Sequence, residues 1–280
     1  MAHNHNHDHG TSNIKVAFLL NFCFSILEIV GGLLTNSTAI LSDAVHDLGD
    51  SLALALSYFT EKVSLKKANN KYTFGYKRLS LIGAIINILV LTAGTFYILT
   101  EAFYTLQNPE EVNSVGMLWL AIIGIAVNGV AALRMKGSKK ILDKTVVLHL
   151  LEDLMGWAGV LVVSVVIYFT NWYILDPILS IIIALVVIRN IWINTKQVYS
   201  VLMQTVPDQE LSHELQNHIA SIGGVEGINS FNFWSLDGDE HVVSVSVTAT
   251  SDYNSQTIIT AIKNMLSNHD IKLSTVEVIF

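Results

Sequence analysis

Six long apolar runs fill the first two thirds of the chain, and shorter alternating or helical patterns fill the rest. The runs lie near 13–34, 39–59, 79–106, 115–133, 146–169 and 174–193. Each is about the 20 residues that a helix needs to cross a bilayer. They predict a six-helix transmembrane bundle over 13–200, preceded by a polar tail at 1–12. After Pro207 the texture changes. The pattern predicts an amphipathic helix over 210–222, with Leu211, Leu215, His218, Ile219 and Ile222 on one face and Gly223-Gly224 ending it. Strands follow at 225–236 and 241–250, joined by a turn at Asp237-Gly238-Asp239. Val243, Val245 and Val247 fall on one side of the second strand. A helix over 254–266 and a strand over 273–280 complete the order αββαβ. The expected fold is an α-helical membrane protein carrying a small α+β domain at 206–280, its sheet covered on one side by helices.

Composition strengthens this picture. Of 280 residues, 51% are hydrophobic and 14% charged, against roughly 25% charged in soluble domains. The net charge of −7 gives no support for nucleic-acid binding. Lys62, Lys66, Lys67, Lys71, Lys77 and Arg78 lie between the second and third runs. Arg134, Lys136, Lys139, Lys140 and Lys144 lie between the fourth and fifth. The loops around Asn36, Asn108 and Asn171 hold no Lys or Arg. Positive-inside reasoning therefore puts the basic loops and both termini in the cytoplasm, and the short loops favour a bacterial inner membrane. The first nine residues lack the basic start and cleavage site of a signal peptide. Instead, His3, His5, His7 and His9 alternate with small polar residues, as a metal-gathering tail, a purification tag or a plain polar tail would. The single cysteine, Cys23, is expected as a small core residue.

Chemistry concentrates in two repeated spacings. His46 and Asp50 stand four residues apart in the second run, and His149 and Asp153 in the fifth. Four residues is about one helical turn, so each pair shares a helix face. Ionisable residues at membrane depth are costly and mark function. Together the pairs offer two imidazole nitrogens and two carboxylate oxygens, a set that suits tetrahedral Zn²⁺. Imidazole also accepts Co²⁺ and Ni²⁺, and a cavity can be adjusted for Cd²⁺ or Fe²⁺. Two ionised Asp balance a divalent charge, so the loaded site carries little net charge. Once the metal leaves, the same groups can take protons. Metal and protons therefore compete, which is the physical basis of exchange. A divalent transition metal, Zn²⁺ or one of these others, is then expected as the transported substrate and protons as the counter-substrate, with no resident cofactor.

With these residues in view, the chain resembles the cation diffusion facilitators, the family of bacterial zinc and cadmium exporters and their organellar relatives. The resemblance rests on Leu41-Ser42-Asp43-Ala44-Val45-His46 running on to Asp50, and on Tyr72-Thr73-Phe74-Gly75-Tyr76-Lys77-Arg78. It also rests on Asn128, on His149 to Asp153, on Asp176-Pro177 and on the αββαβ tail. It implies a homodimer with one transport site per protomer and a ferredoxin-like cytoplasmic domain that helps dimerisation. The His-containing pairs imply Zn²⁺, with Cd²⁺ and Co²⁺ as further cargo. Some relatives hold more metal between the second and third spans; here that loop lacks His and Asp. Others hold a zinc pair in the cytoplasmic domain. His241 falls where one such ligand is expected, but Leu273 and Ser274 stand near its usual C-terminal partner. His241 is thus either a ligand or an ordinary strand residue.

The remaining polar residues have plainer readings. Asp47 and Glu152 adjoin the pairs but are expected on other helix faces, lining the cavity or supporting a ligand. Asp43, one turn earlier, is expected in a vestibule. Asn128 either supports a ligand or bonds to a neighbouring helix. His213, His218 and His269 are expected as surface or packing residues. Gly31, Gly32, Gly83 and Gly94 are expected to allow close helix packing. Two other functions compete with transport. An intramembrane zinc hydrolase would need an open coordination position for water, whereas four ligands already complete a tetrahedron. A metal sensor built on the His-rich tail leaves the intramembrane pairs unexplained.

Overall fold

A computed structural model of the chain describes residues 8–64, 66, 68–135 and 141–280. Within these, side chains are described from residue 22 onward, except at 57, 61, 131–132 and 134–150. His3, His5 and His7 therefore lie outside the described residues. The chain divides into two compact units, Met1–Phe59 with Gly83–Ile193, and Thr60–Ile82 with Asn194–Phe280.

Six helices of 22 to 30 residues dominate. They are α1 (Asp8–Thr35), α2 (Thr38–Ser64), α3 (Leu79–Gln107), α4 (Ser114–Met135), α5 (Ile141–Thr170) and α6 (Leu175–Leu202). All six expected runs are helical, but two extend well past their apolar segments. α1 begins at Asp8, inside the expected tail, and α6 continues to Leu202 rather than stopping near 193. Asn194, Thr195, Lys196 and Gln197 end the apolar run without ending the backbone hydrogen-bond ladder. Among the described residues, Leu79–Gln107, Leu151–Thr170 and Leu175–Leu202 are long and apolar enough to cross a membrane, and Phe22–Thr35 and Ser114–Val130 are shorter apolar stretches.

The first unit buries polar and charged residues beside an apolar core around Ile40, Met117 and Trp157, and exposes large apolar side chains. Leu34 and Phe169 are 77% exposed, whereas Glu28 and Asp176 are 0% exposed. This inverts the soluble pattern and suits a lipid surround. Cys23, expected in the core, is exposed on α1. The helices pack closely where glycine removes a side chain. A methyl group at Gly31 would stand 2.6 Å from Leu120, one at Gly32 2.8 Å from Leu41, and one at Gly94 2.7 Å from Val45. Trp157 of α5 lies over Gly124 of α4 and meets Phe24 of α1 edge-on, with centroids 5.9 Å apart. Asn36 and Asn171 take left-handed backbone conformations in the turns after α1 and α5, a region that asparagine tolerates.

The second unit contains α7 (Gln209–Ala220), β1 (Val225–Ser235), β2 (His241–Ala249), α8 (Ser255–Asn268) and β3 (Leu273–Ile279). Asp208 caps α7 by accepting from the Leu211 amide at 3.0 Å, and Asn254 caps α8 by accepting from the Gln256 amide at 2.8 Å. The sheet order is β1-β2-β3, antiparallel between β1 and β2 and parallel between β2 and β3. Being central, β2 buries Val243, Val245 and Val247 against Leu215, Ile219, Ile258 and Ile262 of the two helices. α7 differs from expectation at one position: His218 is exposed rather than on the packed face. Lys77, before α3, forms an ion pair with Glu240 in the β1–β2 turn.

Candidate metal site between α2 and α5

The start of α2 fixes how the site is assembled. Ser37 Oγ accepts from the Ile40 amide at 3.2 Å, capping the helix. Ser37 Oγ also donates to Asp176 Oδ1 at 2.5 Å. The Thr38 amide and Thr38 Oγ1 donate to Asp176 Oδ2 at 2.7 and 2.8 Å. A buried carboxylate from α6 thus satisfies the otherwise unpaired donors at the N-terminus of α2, where helix polarity favours a negative charge. Further along, Ser42 Oγ donates to the Ser180 carbonyl at 3.3 Å. These contacts advance in the same direction on both helices, so α2 and α6 run parallel. α5 returns through a short turn at 171–174 and is antiparallel to both.

α2 meets α5 at a glycine. A methyl group at Gly156 would lie 3.3 Å from Asp43 Oδ1. In an antiparallel pair, one turn forward on α2 corresponds to one turn back on α5. Continued from the Asp43–Gly156 contact, that register would set His46 near Asp153 and Asp50 near the backbone of His149. The side chain of His149 lies outside the described residues. Asp43, His46, Glu152, Asp153, Gly156 and Arg189 help line one open-sided cavity of about 570 Å³, whose other walls are apolar residues of α5 and α6. His46 Nε2 stands 3.9 Å from Asp50 Oδ2, and their side chains are 11% and 29% exposed. Asp153 is buried. The structure therefore brings His46 and Asp153 to one cavity from two helices.

The surrounding residues partly depart from expectation. Asp47, as expected, faces away from the cavity, toward α1. It is buried at 3% exposure beside Glu28 of α1. Positions 43, 46, 47 and 50 follow the i, i+3, i+4, i+7 spacing of one broad helix face. Asp43 lines the cavity itself. Glu152 also lines it and accepts from Asn190 Nδ2 at 3.4 Å. Asn128 is buried on α4, and its Nδ2 has no hydrogen-bond partner among the described residues. Glu28 is the residue that motif spacing misses. It stands alone in an apolar run, and a lone buried carboxyl at membrane depth is the signal that could have found it. Its neighbours Asp43, Asp47 and Asp153 make this a crowded acidic interior, attractive to a cation and poorly suited to an anion.

His241 opens β2, opposite Ser235, and its ring meets Phe233 edge-on with centroids 5.4 Å apart. The strand position expected to lack a ligand partner is occupied by Leu273, which pairs with Val242.

Comparison with known proteins agrees with this architecture. A family model described as the cation efflux transmembrane domain matches residues 14–203. The metal cation efflux system protein CzcD of Cupriavidus metallidurans is 33% identical over 275 residues, covering 96% of this chain and 87% of that protein. The zinc transporter ZitB of Pectobacterium atrosepticum is 34% identical over 275 residues, covering 96% and 86%. A cadmium, cobalt and zinc/H(+)-K(+) antiporter of Bacillus velezensis is 32% identical over 286 residues, covering 99% and 91%. The chain belongs to the cation efflux family, the cation diffusion facilitators, and is a multi-pass membrane transporter of metal cations rather than an enzyme.

Proposed function

We propose that this transporter exports Zn²⁺ from the cytoplasm in exchange for protons, through a tetrahedral site formed by His46, Asp50, His149 and Asp153. The observation that carries the reading is that His46 and Asp153, from two helices, line one cavity. An antiparallel register continued from the Asp43–Gly156 contact would bring Asp50 toward the backbone of His149. Two imidazoles and two carboxylates suit Zn²⁺ and balance its charge. Protons that bind these groups after metal release would reset the site, and the antiporter name of the Bacillus relative favours such coupling. That name also favours a second reading, in which Cd²⁺ or Co²⁺ is the principal cargo through the same four residues.

The wider reading has six membrane spans, a bacterial inner-membrane location and both termini in the cytoplasm, supported by the basic loops. It includes a homodimer whose cytoplasmic unit is ferredoxin-like. The parallel pairing of β2 and β3 across α8 is compatible with such a unit lacking one strand. The test is metal flux into proteoliposomes under an imposed pH gradient, with Zn²⁺, Cd²⁺ and Co²⁺ compared. Asp50→Ala and Asp153→Ala should each abolish flux, and collapse of the gradient should slow the wild type. Undiminished proton-coupled flux in either variant would remove the site assignment, and flux indifferent to the gradient would remove the exchange.

A further inference from the structure

A second constellation lies in the cytoplasmic unit, away from anything used for transport. Glu214 and His218 stand one turn apart on α7, and His269 is the residue that ends α8. One ligating atom from each lies within 4.8 Å of the others, the sole such trio of His, Cys, Asp or Glu among the described residues. The His218 and His269 rings are 5.9 Å apart and tilted by 46°. Glu214 and His218 are exposed and His269 is half-buried, so an ion could reach them from solvent.

We propose that Glu214, His218 and His269 form a metal site for Zn²⁺ or a similar borderline divalent cation, with water completing the shell. Two imidazole nitrogens and one carboxylate oxygen are the mixed donor set that zinc takes. The set disfavours Mg²⁺ and Ca²⁺, which prefer oxygen alone. Electrostatics at the helix ends point the same way. His218 lies in the last turn of α7, and His269 follows the last residue of α8. Two helix C-termini therefore present partial negative charge near the same point, which favours a cation there. The i, i+4 spacing of Glu214 and His218 holds two donors on one helix face. The third donor comes from a different helix, so bound metal would cross-link α7 to α8. Each helix otherwise packs mainly on the sheet, α7 on β1 and α8 on β3. Metal in the cytoplasm would thereby stiffen this unit, independently of the intramembrane site.

Hydrogen–deuterium exchange of the full-length protein in detergent, with EDTA or with Zn²⁺, tests the assignment because it reads this location alone. Zn²⁺ should slow exchange several-fold in peptides covering 209–222 and 262–272. The slowing should vanish in His218→Ala and His269→Ala and persist in His213→Ala and Asp153→Ala. His218→Gln provides a second, more conservative variant, and unchanged metal-free exchange in β2 verifies folding. Absence of slowing in the wild type would overturn the site, as would slowing retained without His218 or His269. Equal slowing by Mg²⁺ would overturn the ligand class.

Discussion

Asp176 shows how one residue can organise a polar interior. Its two oxygens accept three hydrogen bonds from Ser37 and Thr38, all buried. Truncation in Asp176→Ala leaves these donors unsatisfied, at a cost of about 2–4 kcal/mol. A large fall in the thermal unfolding midpoint of detergent-solubilised protein is the expected readout. Asp47 should behave in the opposite sense. It is packed with Glu28, Asp43 and Asp153 in a cluster of like groups. Asp47→Asn should stabilise the metal-free protein by about 1 kcal/mol, as relief of functional-site strain often does. A lower midpoint would show that its contact with Glu28 outweighs the repulsion. The approach of His46 to Asp50 was legible because helical periodicity turns spacing into shared direction. Glu28 was not, because its place depends on which helices meet. The His218–His269 pairing was hidden for the same reason: its residues are 51 positions apart in sequence.

At the scale of elements, close approach depends on absent side chains. Gly124 allows Trp157 of α5 to lie against α4, and Trp157 in turn meets Phe24 of α1. Gly124→Val pushes two methyl groups into that ring. Overpacking of this kind costs about 1–3 kcal/mol, so a lower melting temperature and less monodisperse protein on size exclusion are expected. In the C-terminal unit, Asp208→Ala removes the cap on α7. A loss of about 1 kcal/mol should appear as faster amide exchange confined to the first turn of that helix. Helix existence could be read from apolar length, and the αββαβ order from changes of period. Helix ends were less legible. Apolarity reports the surroundings of a helix, whereas its termination is decided by backbone bonding and caps. This difference explains why α6 outlasts its apolar run to Leu202.

For the whole molecule, the arrangement of basic and neutral loops gives a direct topology test. Cys23 is the chain's one cysteine, so Cys23→Ser supplies a background for single replacements. Cysteine at Asn108 or Asn171 should react with an impermeant thiol reagent added outside intact cells. Cysteine at Thr205 should react only after the cells are opened. External labelling at Thr205 would reverse the assigned orientation. The buried acidic face of α2 also has a consequence for biosynthesis. Asp43, Asp47 and Asp50 lie in the interior of a single helix, and each acidic residue near a span's centre opposes insertion by about 3 kcal/mol. Glu28 of α1, beside Asp47, is already made, but Gly156 of α5, which meets Asp43, emerges from the ribosome more than a hundred residues later. α2 therefore has to be held by its neighbouring helices, or by the insertion machinery, until α5 arrives. Nascent chains truncated before residue 141 should show incomplete insertion of α2 in a glycosylation-mapping assay, and chains extended past residue 202 should complete it.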